Sequence, residues 1–457
     1  MTQREVTLME VLDNREQRVA RQRRLLREYS GSLICFTMNI PGPVKNNLWI
    51  RGGYRLGKGL LLDLLKSAGI PVLHQEEVCA VTGCEGFFCV DAPAEKVKAL
   101  TVRLEDSREV GRLFDMDVLS ADGSKRSREE LGMAGRTCLI CGRPASVCGP
   151  VRAHSAAELW QRAEQLLRQA VAGDVSRRIG ALAGKALLYE VCTTPKPGLV
   201  DRENSGAHED MDIYTFLGSS ARLQSYFARC AEAGILTRED APEETFRQIR
   251  LAGMLAEQEM FRETGGINTH KGAVFSMGIA CAAAGRLFGC GEYGAGELMN
   301  ECGRIAEGVA RQDFDGVTVD NAKTVGERLF AAYGITGIRG QAEAGFPAVL
   351  YRGLPVLRKG LEMGLSPDRA GAAALLAMLA DTDDTNLIAR SDRETQLRVR
   401  REIGALMEKE PYPEEEILRA LDRDFTRQRL SPGGSADLLA LCWFTHFVQG
   451  EPELFWQ

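Results

Sequence analysis

The sequence predicts a chain in two parts, an α/β segment followed by a larger all-α one, on three observations. Strand and helix candidates alternate up to Pro150, helix follows helix from there to the end, and 457 residues exceed what one ordinary core holds. A hydrophobic fraction of 44% and a charged fraction of 26% are those of a globular protein in water. No window approaches the roughly 20 apolar residues of a membrane span, and Met1-Thr2-Gln3-Arg4-Glu5 opens no signal peptide, so a cytoplasmic location is expected. The net charge of -6 speaks against a general nucleic-acid binder. The 13 cysteines, odd in number and scattered, fit reduced thiols better than a disulfide framework.

A charged helix is expected over residues 7–28. Its Arg15, Arg18, Arg21, Arg23, Arg24 and Arg27 form either a solvated face or a face for an acidic carrier protein. Residues 32–39 read as a strand closed by Pro41-Gly42-Pro43, and residues 57–68 as a helix. Further strands are expected at 78–82, 86–90 and 113–119, with a helix over 94–104 before the last. Beyond Cys148-Gly149-Pro150 a helical region begins at Ala156, and the alanine-rich stretches 278–284 and 372–379 suit buried helices. A boundary near Gly173-Asp174 gives domains 1–173 and 174–457.

In the first part, Asp115 and Asp117 stand two apart on an expected strand, so both project from one face. Such a pair either holds Mg²⁺ against a triphosphate or marks a solvated strand end. The turn after Phe36-Thr37-Met38-Asn39 offers backbone amides and Lys45 to phosphate, or is an ordinary turn. Cys138, Cys141, Cys148 and His154 are ligand types for zinc; the first two have knuckle spacing, the second pair departs from it, and free thiols are the alternative.

The second part holds three polar segments among apolar helices. The loop from Thr194 to Asp212 crowds Lys196, Asp201, Arg202, Asn204, His208, Asp210 and Asp212 between prolines and glycines. Gly265-Gly266-Ile267-Asn268-Thr269-His270-Lys271-Gly272 allows close backbone approach to a phosphate, with Lys271 adding charge. Asp381, Asp383 and Asp384, followed by Asn386, end a buried stretch and repel one another unless a cation or basic groups offset them; a divalent metal is the simplest answer. His208 and His270, two of five histidines, suit proton transfer or phosphate binding. Together the loops describe a phosphate-plus-metal pocket.

These three segments resemble the triphosphoribosyl-dephospho-coenzyme A synthase family over residues 175–457. The first part, through Phe36 to Lys45, Gly111 to Val118 and the Cys138, Cys141, Cys148, His154 pattern, resembles the citrate lyase holo-acyl-carrier-protein synthase family, and its α/β pattern loosely resembles the nucleotidyltransferase fold. The resemblance implies a fusion in which one half joins ATP to 3′-dephospho-coenzyme A with loss of adenine. The other half then transfers the product to a serine of the apo acyl carrier protein, the gamma subunit of citrate lyase, with loss of diphosphate. It further implies Lys196, Arg202 and Lys271 on the triphosphate, and Mg²⁺ on Asp381, Asp383 and Asp384 and, in the other half, on Asp115 and Asp117. A carboxylate or His208 would take the attacking proton, Asp212 and His270 are the other catalytic candidates, and Lys45, Arg112, Asp201, Asn204, Asn268 and Asn386 are the other substrate-binding ones. The aspartate motif also resembles ADP-ribosylglycohydrolases, which leaves a hydrolase, with a carrier-docking first half, as the alternative.

Overall fold

The computed structural model describes residues 4–451 and residue 454. The chain divides into two compact units, Met1–Asp174 and Val175–Gln457.

The first unit is built on a sheet of five strands in the order β2-β3-β1-β4-β5, antiparallel at every pairing. The strands are β1 (Ser32–Met38), β2 (Val72–Ala80), β3 (Gly83–Val90), β4 (Phe114–Leu119) and β5 (Lys125–Arg126). The alternation of elements therefore does not build the parallel sheet of a doubly wound fold; hairpins and returning helices bring each strand back against its neighbour. Register places Leu33, Cys35 and Thr37 beside Cys89, Phe87 and Glu85 on one side and Leu119, Asp117 and Asp115 on the other, so these nine residues share a face.

Helix α1 (Leu8–Glu28) covers part of that face, its Leu25 packing with Leu33, Cys35, Phe87 and Cys89. Thr7 and Glu10 close its first turn in a reciprocal capping box. Its arginines are only partly solvated: Arg18 pairs with Glu85, and Arg21 and Arg24 with Glu76, at 2.8 and 2.6 Å for the last two. The opposite face carries Phe36, Met116 and Phe114 against α2 (Leu48–Ser67) and α3 (Ala94–Asp106). Helix α2 starts nine residues before the expected position, at an Asn47 cap, because its glycines are contact points rather than breakers: a Cβ on Gly57 would come within 2.6 Å of the Phe36 ring. Cys79 and Cys84, opposite each other in the β2–β3 register, form a disulfide, an exception to the expected reduced thiols; the other 11 cysteines are free.

A short helix, α4 (Ala145–Cys148), precedes α5 (Ala156–Cys192), which carries residues of both units. The second unit is helical. Helices α6 (Ile213–Leu236), α7 (Pro242–Glu263), α8 (Lys271–Arg286), α9 (Ala295–Ile305), α10 (Val309–Phe314), α11 (Val325–Tyr333) and α12 (Gly337–Glu343) lead to a π-turn at Val349–Gly353. Helices α13 (Leu354–Glu362), α14 (Pro367–Leu379), α15 (Thr385–Arg390), α16 (Arg393–Lys409), α17 (Glu415–Gln428) and α18 (Gly433–Gln449) complete it. The alanine-rich α8 and α14 are buried on nearly all sides, as expected of helices that let neighbours approach closely. No described helix is long and apolar enough to cross a membrane.

Candidate functional site

The loop after α5 divides in two. Thr193 to Asp201 is buried, whereas Arg202 to Asp210 is mostly exposed, so what reads as a solvated polar loop is half core. Lys196, 1% exposed, donates to the carbonyl and the carboxylate of Glu190, a buried ion pair closed within one turn of chain. Burial pushes the Glu190 carboxyl up, opposed by Lys196. Asp201 accepts from the amides of Lys196, Glu203 and Asn204 at 2.7–3.0 Å and so shapes the turn.

A cavity of about 940 Å³ opens beside this loop. Lys196, His208, Asp210, Asn268, His270, Lys271, Asp381, Asp383, Asp384 and Asn386 line it, so the three segments do converge. Four candidates lie outside the lining, for physical reasons. Asp201 and Asn204 are tied into the turn, Asn204 also donating to Asp422 at 2.9 Å. Arg202 is half exposed and paired with Asp368 at 2.6 Å. Asp212 is the exposed N-cap of α6, accepting from the Thr215 amide.

The three aspartates do not gather as one cation site. Asp381 pairs with Arg352 at 3.1 Å, and Asp383 with Arg393 and Arg400 at 2.6 and 2.9 Å. Asp384 is turned inward, where it caps α15 through the Asn386 and Leu387 amides and accepts from Gly434 and from the amide and hydroxyl of Ser435. Burial raises its carboxyl while those donors oppose the shift. Arg352, Arg393 and Arg400 offset part of the repulsion among these residues.

The histidines are neutral and committed. His208 sits between the Ser431 hydroxyl at 2.8 Å and the Arg390 guanidinium at 3.0 Å, and burial with Arg390 lowers it to about 4. Because Arg390 donates to Nδ1, Nε2 carries the proton toward Ser431, which leaves no lone pair for an attacking hydroxyl. Buried His270 is lowered to about 3 by burial and then by Lys196. Thr269 donates to Ser219 at 2.8 Å, and the Ser219 hydroxyl reaches His270 Nδ1 at 2.7 Å. That chain leaves the proton on Nε2, which is buried without a partner and belongs to a residue on the cavity wall.

Several residues of the wall escape motif reading. Arg393 and Arg400, two turns apart on α16, look in sequence like a solvated face. Arg339 lines the wall from the first turn of α12. Asp437 is the acid in the apolar α18; burial, with Glu190 and Asp384 nearby, pushes it well up. A lone carboxylate in a buried helix was the available signal.

In the first unit, Asp115 and Asp117 do share a face of β4, with Phe114, Met116 and Val118 buried on the other. Asp115 pairs with Arg136 at 3.0 Å and Asp117 with Lys125 at 2.7 Å. Buried Glu105 holds this corner, accepting from the Met116 amide at 2.8 Å and from Arg128 and Arg136. Lys45 is half-buried and donates inward to the Ile40 carbonyl at 2.5 Å, with burial lowering it. Arg112 donates to the Thr137 carbonyl at 2.5 Å and lines a second cavity, of about 930 Å³, with Arg108, Arg128, Arg136 and Arg152.

Residues 176–453 match the family model described as ATP:dephospho-CoA triphosphoribosyl transferase, and residues 6–170 that described as apo-citrate lyase phosphoribosyl-dephospho-CoA transferase. A protein named CitXG from Leuconostoc mesenteroides is 33% identical over 457 residues, and one of the same name from Haemophilus influenzae 32% over 452, with 96% of each chain covered in both cases. A probable 2-(5''-triphosphoribosyl)-3'-dephosphocoenzyme-A synthase of Albidiferax ferrireducens is 40% identical over 278 residues, 60% of this chain and 91% of its own. The fold and the matches define a bifunctional transferase of citrate lyase prosthetic-group synthesis. The chain belongs to the ATP:dephospho-CoA triphosphoribosyl transferase family, fused to an apo-citrate lyase phosphoribosyl-dephospho-CoA transferase. The hydrolase and docking-module alternatives give way to these matches.

Proposed function

We propose that the helical unit binds ATP and 3′-dephospho-coenzyme A in its cavity, where the dephospho-coenzyme ribose 2′-oxygen bonds to ribose C1′ of ATP. The glycosidic bond breaks, adenine leaves, and the triphosphate stays intact. The observation that carries this reading is the wall itself: Lys271, Arg339, Arg390, Arg393 and Arg400 ring a cavity whose inner side holds Glu190, Asp437 and the unpartnered Nε2–H of His270. The arginines suit a triphosphate, the charged end of ATP. Asp437, in its ionised form, is the acceptor for the 2′-hydroxyl proton; Glu190 and Asp384 beside it raise its basicity, and the Ala273 amide holds the carboxylate. His270 donates through Nε2–H to an acceptor atom of the bound nucleotide.

In the first unit, which we place in the nucleotidyltransferase class, a serine hydroxyl of the apo acyl carrier protein attacks the α-phosphate and diphosphate leaves. Asp115 and Asp117 offer hard oxygen donors on one face, as Mg²⁺ requires, and the ion neutralises the leaving diphosphate. Lys125 and Arg136, their present partners, would then be free to hold phosphate oxygens. In the helical unit, Asp381 and Asp383 fit Mg²⁺ carried in with the triphosphate; Asp384 does not, because donors already occupy its carboxylate. Zinc on the Cys138, Cys141, Cys148 and His154 set completes the cofactors, and both reactions belong in the cytoplasm.

The test is sequential. Protein, ATP, Mg²⁺ and 3′-dephospho-coenzyme A should release adenine, and diphosphate should follow only when apo carrier protein is added. Asp437→Asn should slow adenine release by roughly 10²-fold or more while nucleotide binding persists. Adenine release without dephospho-coenzyme A would overturn the transferase reading of the cavity.

A further inference from the structure

Cys138, Cys141, Cys148 and His154 lie 16 residues apart at most, yet no single turn or helix joins them. Their ligand atoms nevertheless stand within 4.8 Å of one another, the only such His, Cys, Asp and Glu group among the described residues. Four ligands held tetrahedrally at about 2.0–2.3 Å from one ion stand roughly 3.3–3.8 Å apart. The Cys141 and Cys148 sulfurs, 3.4 Å apart, are at that spacing.

The backbone is shaped for the same purpose. Thr137 bridges Pro144, the Cys138 amide donates to the Arg143 carbonyl, and the Gly142 amide to the Cys138 carbonyl. The result is a tight knuckle in which Gly142, at φ +72, takes the left-handed turn directly after the second cysteine. A second, independent observation is the imidazole: His154 Nε2 is buried without a hydrogen-bond partner. An imidazole grouped with three cysteine sulfurs is a donor set that fits a tetrahedral cation.

We propose that these four residues form a closed, structural Zn²⁺ site whose work is to fix the arginine wall of the first unit. Three thiol sulfurs and one imidazole leave no open position for substrate, which separates this site from the magnesium sites. The segment it clamps carries Arg136, which reaches both Glu105 and Asp115, and Thr137, whose carbonyl holds Arg112. Cys138, Cys148, His154 and Arg152 line the cavity alongside those arginines. Without the ion, only the backbone hydrogen bonds of its own turns, the short bridge and α4 tie the stretch from Cys138 to His154 together, and the hold on Arg136, the Asp115 partner, loosens with it.

The activity arm of the test rests on the proposed transfer reaction; the metal arm does not. Full-length protein purified without added metal should contain one zinc per chain by elemental analysis. Exchange with Co²⁺ should give the intense visible bands of tetrahedral thiolate coordination. Cys138→Ser and Cys148→Ser should lose the metal and lower diphosphate release roughly tenfold or more, with adenine release unchanged as proof that the rest of the chain is folded. His154→Cys keeps four donors and should retain both metal and transfer. Zinc-free protein whose Cys138 and Cys148 stay unmodified by thiol reagents overturns the site, and metal loss with undiminished transfer overturns its role. If the unaltered protein releases no diphosphate at all, the transfer reading is at fault, and stoichiometry and cobalt spectrum decide the site alone.

Discussion

The two units handle charge in opposite ways. In the first, Asp115 and Asp117 stand on a partly open strand face, each with a cation that is itself accessible, and the sheet register alone sets their spacing. In the second, Glu190, Lys196, Asp384 and His270 are buried; the first two pair with each other, and the last two are fixed by partners from elsewhere in the fold. On the proposed function, an open face lets a serine on another protein reach the phosphate. On the same proposal, the buried groups on the inner side of the cavity favour a hydroxyl of the second substrate over solvent at C1′. The difference follows from the acceptor: one is a macromolecule, the other a small molecule.

The comparison breaks first at the aspartate pair. Asp115→Asn with Asp117→Asn should abolish carrier attachment, a loss of about 10³-fold or more, while adenine release stays at its full rate. Both are followed in one reaction mixture, diphosphate for one unit and adenine for the other. Loss of both in a folded protein would show that the units do not divide the work.

The next effect is on stability and belongs to the buried side. Lys196→Met strands the Glu190 carboxylate without its cation and should cost about 3–5 kcal/mol, read as a lower urea midpoint of the helical signal. Adding Glu190→Gln should recover most of that loss, because the cost lies in the unpaired charge rather than in the missing contact. The same double change at the open pair, Asp117→Asn with Lys125→Met, should hardly move the midpoint, since exposed pairs contribute little.

How much of this the sequence shows depends on range. Asp115 and Asp117 share a face because strand side chains alternate, a local rule that needs no knowledge of the fold. The grouping of the three polar segments was legible as chemistry, and the cavity does gather them. What stayed hidden were the long-range partners. Nothing local tells that Asp384 meets Ser435, or that Arg393 and Arg400 turn to Asp383. The start of α2 was missed because glycine carries one letter for two uses, breaking a helix and admitting a neighbouring ring. The antiparallel order was not legible, because alternating elements do not state which strands pair.

A smaller effect sharpens the comparison through pH. His270 titrates near 6.5 when unfolded and at about 3 when folded, the shift coming from burial and then Lys196. Between those values the unfolded chain binds a proton that the folded chain does not, so the helical unit loses stability as pH falls below 6.5 and keeps it above. The slope approaches about 1.4 kcal/mol per pH unit. His270→Gln should flatten it in part, since His208, lowered to about 4, and His446, also lowered by burial, contribute with the same sign. Melts between pH 7 and 5 check this, and an unchanged slope would mean that His270 is wet or charged.

The smallest effect falls on a residue that the chemistry of the loop had marked as catalytic. Asp212 accepts from the Thr215 amide at the head of α6 and lies outside the cavity, so its carboxylate competes for no substrate atom. Asp212→Ala removes one cap and should lower the melting temperature of the helical unit slightly, with adenine release untouched. Asp212→Ser, which also caps, should restore the melting temperature. A drop in adenine release that Ser does not repair would instead put this carboxylate at the reaction, and would mean that the cavity closes around it when substrate binds.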